Sequence, residues 1–503
     1  MIMNFVKILA VAGRGAALLC VSGAVFCTPV RGQAQTQGQS DASRAQAQKA
    51  HHAPAASPRM TSWLTDPANS VFFEKQQAQP VFATGMPGAS STVITVDDKK
   101  VSQEIDGFGF CLTGGSAMNM MKMSAASRSA LIRELFSTSG KNIGTSYLRV
   151  SIGASDLNER VFSYDDLPDG ETDTALQRFN LGPDRKDVIP VLKEILAIAP
   201  RIKILGSPWS PPTWMKTTHD TRGGSLLPEY YSTYASYFVR YIRAMRKEGI
   251  RIDAITVQNE PLHPGNNPSM LMLAPDQAEF VKNHLGPAFR KAGIDTKIII
   301  YDHNADKPEY PISILDDAEA AKYIDGSAFH LYGGTIDALS KVHEAHPGKN
   351  LYFTEQWVGA PGNFKRDIPE HVRKLIIGAT RNWSRNVIEW NLASDPQWKP
   401  HTDRGGCDRC LGAVTIDGDK FTRNPAWYIV AHAAKLVRPG SRHIASDSND
   451  PGTLPSTAFR TPGGRTVLIV LNDGAAAQTF AISFHGKSVG ATLNAGAVAT
   501  YEW

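Results

Sequence analysis

Lys203-Ile204-Leu205-Gly206-Ser207-Pro208-Trp209-Ser210-Pro211-Pro212-Thr213-Trp214-Met215-Lys216 sets a short apolar run against a cluster of prolines and tryptophans. Proline has no N–H to give a sheet ladder, so the run reads as a strand that stops near Ser207. The turn beyond it carries two large aromatic faces, Trp209 and Trp214, on a rigid backbone. Such a surface suits a flat ligand such as a sugar ring, and it equally suits a plug over a core. Two later strand ends that carry glutamates favour the ligand.

Outward from this stretch, eight short apolar runs lie between Ile105 and Leu392: 107–112, 146–152, 202–207, 255–259, 297–301, 327–331, 351–354 and 387–391. Helical spacing fills 124–136, 186–199, 228–248, 275–292 and 369–383 between them. Strands alternating with helices in this number predict a (β/α)₈ barrel over 104–423, an α/β fold. A doubly wound sheet is the competitor, but Gly107-Phe108-Gly109-Phe110-Cys111-Leu112 lacks the glycine-rich phosphate loop expected after its first strand. Beyond Asn424 a helix over 426–436 is followed by short alternating runs separated by Gly, Asp and Asn. This texture predicts a side β-sandwich over 424–503, joined by β-like pieces from 63–103.

The 503 residues leave room for both domains, and a net charge of +5 with scattered basic residues gives no nucleic-acid footprint. Residues 1–34 read as a signal peptide: Lys7 and Arg14 precede an apolar stretch too short to span a bilayer, and Gly32-Gln33-Ala34 offers a cleavage site. The expectation is a secreted or periplasmic protein without an integral membrane segment once the signal is removed. Residues 35–62, rich in Gln, Ala, Ser and His, read as a disordered linker. Cys407-Asp408-Arg409-Cys410 is a lone CxxC, which in an exported protein favours a local disulfide over zinc; Cys111 is left as a buried thiol.

The chemistry sits at two predicted strand ends. One run closes on Gln258-Asn259-Glu260-Pro261 and another on Phe353-Thr354-Glu355, so each leaves a carboxylate at the barrel mouth. Burying a carboxylate there costs free energy unless it is paired or used. A pair of carboxylates about 5–5.5 Å apart performs retaining glycoside hydrolysis. Glu260 follows an asparagine able to bind a sugar 2-hydroxyl, which makes Glu260 the acid/base and Glu355 the nucleophile. Asp302, His303 and Asn304 are further cleft candidates, and Trp357 and Trp398 are candidates for a wider sugar platform.

Ser207-Pro208-Trp209-Ser210-Pro211-Pro212, Thr256 through Pro261, Thr354-Glu355 and Trp390-Asn391-Leu392 together resemble glycoside hydrolase family 30, the glucosylceramidase-like group. The resemblance implies a barrel with a side β-sandwich, a retaining mechanism and neither metal nor cofactor. It places Arg149 beside the nucleophile, and Trp209, Asn259, Tyr332 and Trp390 around the terminal glucose, with Tyr332 within reach of the nucleophile. Where the glucosylceramidase pattern Gly-Phe-Gly-Gly-Ala-x-Thr-Asp ends in a carboxylate that grips distal hydroxyls, this chain has Gly114. The departure favours a β-glucan, including β-1,6-glucan, or another β-glucoside over glucosylceramide. The other class of function is a non-catalytic carbohydrate-binding barrel.

Overall fold

The computed structural model describes residues 58–85 and 92–503; the expected signal peptide, and all of the expected linker before residue 58, lie outside them. Eight parallel strands close into a barrel: β1 (Gly107–Cys111), β2 (Tyr147–Ser151), β3 (Lys203–Ser207), β4 (Ala254–Thr256), β5 (Lys297–Ala305), β6 (Ile324–Gly334), β7 (Asn350–Glu355) and β8 (Ser384–Asn391). Each pairs with its neighbours in chain order, and β8 pairs with β1. All eight runs read from the sequence are strands of this barrel.

The barrel is a filled core. Tyr147, Leu205, Ala254, Ile299, Ala328, Tyr352 and Ile388, one from each of seven strands, form a buried cluster inside it. Gly109 is required by that closure, because a Cβ there would fall 1.8 Å from the Tyr147 carbonyl oxygen. Outside, amphipathic helices cover the strands. The helix Tyr231–Lys247 buries Tyr234, Tyr237, Phe238, Tyr241 and Met245 and leaves its basic residues outward. The helical spacing over 275–292 and 369–383 is interrupted by wider π turns at Phe280–Leu285 and Val372–Ala379. The helix Gly114–Lys122 was not legible from spacing; Thr113 caps it by accepting from Ser116 N at 3.0 Å.

The second domain is the expected β-sandwich, its ten strands hydrogen-bonded in one continuous order and drawn from both ends of the described chain. Thr61–Asp66 pairs antiparallel with Val498–Glu502, and Val93–Glu104 lies between Arg442–Ser448 and Gln478–Phe484. Its own core gathers Ile94, Val96, Ile444, Leu468, Phe480 and Trp503. Regular pairing thus reaches into the segment read as linker: Met60 is buried, and Thr61 already faces Glu502. No helix among the described residues is long and apolar enough to cross a membrane.

Candidate active site

The C-terminal ends of the strands converge on one buried guanidinium. Arg149, in β2, is fully buried. Its Nε donates to Ser207 Oγ at 3.1 Å, its Nη2 to Asn259 Oδ1 at 2.6 Å and to Asp302 Oδ2 at 2.8 Å, and its Nη1 to Glu355 Oε2. The planar fork of arginine suits this task; a lysine ammonium is a point charge with three donors and cannot reach these four acceptors in fixed directions. Glu355 ends β7 and also accepts from the Tyr332 hydroxyl at 3.0 Å.

Glu260 stands just past β4 with φ of 44°, a left-handed backbone uncommon for a residue with a side chain. It is held there by Glu260 N donating to the Asp302 carbonyl at 3.0 Å, with Asn259 N donating to the Pro208 carbonyl at 2.8 Å. Such a conformation costs on the order of 1–3 kcal/mol and persists only where the surroundings impose it. The effect is to aim the carboxylate into the cleft. One oxygen each of Glu260 and Glu355 and one nitrogen of His330 all lie within 4.8 Å of one another.

His330, within β6, is a residue the sequence reading passed over. Its Nδ1 lies 3.2 Å from Glu260 Oε1 and 3.8 Å from Glu355 Oε1, and its Nε2 lies 3.2 Å from Asp302 Oδ1. Burial lowers its pKa, but the carboxylates of Glu355, Asp302 and Glu260 outweigh that and push it up to about 9. Burial also raises Asp302, yet Arg149 and His330 hold it well below the usual carboxylate range. Its oxygens further accept from Thr256 and Thr354 Oγ1, both at 2.6 Å, so it is a fixed anion of the floor. His330, Glu260 and Glu355 are spaced so that they could hold a metal ion, but the Arg149 guanidinium already bonded to Glu355 supplies the positive charge there.

The expected aromatic platform exists with a different membership. Trp209 stacks on Trp390 with ring centroids 5.4 Å apart, and the Arg149 guanidinium lies 4.8 Å from the Trp209 ring centre. Trp214 is not part of it. Its indole N–H donates to the Asp165 carbonyl at 3.0 Å and its ring meets Tyr230 edge-on, so the second tryptophan of the turn is core. Trp357 packs against the Trp209–Trp390 cluster, whereas Trp398 packs on the main core. His303 faces Glu260 Oε1 at 3.8 Å, and Asn304 accepts from Tyr332 N at 3.1 Å.

Gly114 has no room for the carboxylate expected from the glucosylceramidase pattern, since a Cβ there would meet the Asn158 amide at 1.9 Å. The same loop supplies a different carboxylate. Asp156 is buried, and burial together with the charges of Glu355 and Glu260 pushes it up to about 7, while the Cys407 N–H draws it back. Asp156 carries no sequence signal beyond its place after a strand end, in Ala154-Ser155-Asp156-Leu157.

Paired carboxylates, a buried cation and a tryptophan wall at the C-terminal mouth of a (β/α)₈ barrel define a glycosidase-type site. Residues 105–437 match the glycosyl hydrolase family 30 TIM-barrel domain, and residues 440–501 match the family 30 beta sandwich domain. An endo-1,6-beta-D-glucanase of Neurospora crassa is 38% identical over 377 residues, 72% of this chain and 77% of that one. The lysosomal acid glucosylceramidase of Mus musculus is 30% identical over 439 residues, 82% and 83% of the two chains. A solved endo-beta1,6-glucanase superposes with a TM-score of 0.81 at 33% identity, covering 88% of this chain and 99% of that one. The chain belongs to glycoside hydrolase family 30, and it is a glycosidase rather than a sugar-binding barrel without activity.

Proposed function

We propose that this protein is an exported, retaining endo-glycosidase of β-1,6-linked glucan. The observation that carries the reading is the approach of Glu260 and Glu355 to within 4.8 Å, which suits direct attack by one carboxylate and leaves little space for an intervening water. Glu355 attacks the anomeric carbon from the face opposite the leaving group, with Arg149 and Tyr332 holding its charge and direction. Glu260 protonates the departing glycosidic oxygen. It then takes a proton from the water that releases the sugar from Glu355. Asn259, fixed by Arg149, offers its amide to the sugar 2-hydroxyl, and Asp156 accepts from a distal hydroxyl in place of a carboxylate at position 114.

The linkage is supported by relatives named endo-1,6-beta-D-glucanases at 32–38% identity, against 29–30% for those named glucosylceramidases. Export is supported by the leader-like residues 1–34 and by the Cys407–Cys410 disulfide, a bond that persists in oxidising compartments. The test offers linear β-1,6-glucan, an aryl β-glucoside and glucosylceramide in parallel, with products resolved by size and by anomer. Oligosaccharides of falling length that appear first as β-anomers are expected. Release of glucose alone from chain ends would remove the endo assignment, and first release of the α-anomer would remove the retaining one.

The same geometry predicts a pH dependence. The folded-state pKa of His330, about 9, lies above its free value near 6.5. Its imidazolium contacts therefore contribute fully below about pH 6.5 and are lost as pH rises through about 9. The difference is worth about 3 kcal/mol. Denaturant unfolding of wild type and His330→Gln at pH 6.5 and pH 9.5 reads it: the stability advantage of wild type is expected to shrink by about that amount at the higher pH. Lys216, which burial lowers to about 7, is common to both proteins and cancels in the comparison. An advantage equal at the two pH values would show that His330 is not charged in the fold.

A further inference from the structure

The segment between β8 and the second domain crosses the mouth of the barrel and is tied to four strand-end loops. Thr402 N donates to the Asp156 carbonyl at 2.8 Å after β2, and the Arg404 guanidinium grips both oxygens of Asp220 after β3 at 3.0 and 3.1 Å. Asn267 Nδ2, after β4, donates to Asp403 Oδ1 at 2.9 Å. After β7, the short strand Val358–Gly359 pairs antiparallel with Cys410–Leu411. The Cys407–Cys410 disulfide closes a four-residue ring inside this strap.

Both ends of that ring touch the sugar site. Cys407 N donates to Asp156 Oδ2 at 3.3 Å. The Cys410 carbonyl accepts from Asn391 Nδ2 at 3.1 Å, one residue beyond Trp390. Cys410 itself is buried in one cluster with Trp209, Trp390, Leu157 and the free thiol Cys111, and Cys407 packs on its edge. A disulfide meant only to staple the fold would cross-link distant segments, because the loop-closure entropy it removes grows with the number of residues enclosed. A separation of 3 encloses almost none. Its local consequence is to fix the direction of one N–H and one carbonyl.

We propose that the Cys407–Cys410 disulfide is a positioning element of the glycan site: it holds the Cys407 N–H against the Asp156 carboxylate, and opening it weakens substrate binding while leaving turnover of bound substrate nearly unchanged. The inference rests on the reading of Asp156 as acceptor for a sugar hydroxyl. The carboxylate is faced by Glu355 and Glu260, with Tyr332 and Cys111 also within its field. With no cation among these groups, Asp156 is directed by two backbone donors, its own N–H and the Cys407 N–H, and the strap supplies the one that comes from outside its own loop.

The test compares wild type, Cys407→Ala/Cys410→Ala, Asp156→Asn and the triple variant on an aryl β-glucoside and on linear β-1,6-glucan. Loss of one directed hydrogen bond to the Asp156 carboxyl is expected to raise KM about tenfold in the cysteine variant, with kcat within about threefold of wild type. In the Asp156→Asn background the cysteine substitutions are expected to add less than about twofold, because the two act through one contact. Wild type opened by a trialkylphosphine, which takes up oxygen from water as the bond becomes two thiols, is expected to match the cysteine variant and to recover on reoxidation. This second preparation covers a variant that fails to fold. An unchanged KM, or effects that add in full, overturns the inference, and so does a reduced wild type that unfolds. Wild type inactive on every β-glycoside would instead remove the proposed function.

Discussion

Glu355→Gln is expected to lower kcat on the aryl β-glucoside by on the order of 10⁴-fold or more, the scale seen when a catalytic nucleophile is deleted. The substitution keeps the shape at the end of β7, and an amide oxygen still accepts from Arg149 or Tyr332. Binding is therefore expected to survive, with KM changed far less than kcat. The roles of the two glutamates separate by chemical rescue. In Glu355→Ala, azide entering the vacated space attacks the same face of the sugar as the lost carboxylate and gives the α-glycosyl azide. In Glu260→Ala the glycosyl-enzyme still forms from an activated substrate, azide attacks in place of water, and the β-glycosyl azide results. Azides of the opposite configuration would exchange the two assignments.

The electrostatics bear on that assignment. Burial raises both carboxyl groups, but His303 and His330 hold Glu260 below the usual range, whereas burial and the neighbouring Glu260 leave Glu355 above it. Taken alone, this order is the reverse of an acid beside an ionised nucleophile. The hydrogen bonds resolve it. Glu260 and His330 share one proton between Oε1 and Nδ1, so an ionised Glu260 beside imidazolium and a neutral Glu260 beside imidazole differ only in the proton's place. Glu355 accepts from Arg149, which cannot release its proton, and from the Tyr332 hydroxyl, whose pKa is raised well above its ordinary value. The fixed donors therefore sit on the carboxylate that must attack, and the movable proton sits beside the carboxylate that must deliver one.

Much of this was legible because strands announce themselves by apolar runs and barrels place chemistry where those runs end. Glu260, Glu355, Arg149, Asn259, Trp209, Tyr332 and Trp390 are each singled out by a strand end or by the family pattern, and the fold brings their side chains together. Three features of the site were not legible. His330 lies inside an apolar run, where a histidine looks like filling; only closure of the barrel shows the ends of β4, β5 and β7 supplying the carboxylates around it. Asp156 follows a strand by five residues, in a loop whose path no periodicity describes. Trp214 was paired with Trp209 because both stand on one turn, but a short helical turn at Thr213–Met215 rotates Trp214 into the core. Sequence spacing fixes which end of a strand a residue occupies, and not which way an irregular loop turns.

Arg149→Met is expected to be the most destabilising single substitution in the site, by about 3–5 kcal/mol, because it strips the cation from buried carboxylates rather than removing one contact. A single neutral hydrogen bond would account for only about 1 kcal/mol, so the magnitude itself identifies the cause. Asp302 is fully buried and Glu355 nearly so, and both bond to this guanidinium. Without it, His330 is the remaining cationic partner of Asp302, and the site must take up a proton or admit water. The measurement is denaturant unfolding of Arg149→Met, Asp302→Asn and the double variant. If stranded charge is the cause, the double variant is expected to be more stable than Arg149→Met alone, and the coupling between the two positions is expected to exceed about 1 kcal/mol. Additive losses would mean that Arg149 acts through its packing against Trp209 and Trp390 instead. Arg149→Lys distinguishes charge from geometry: a lysine keeps the cation but not the fork, so it is expected to recover much of the stability while leaving Asn259 and Glu355 misdirected and kcat low.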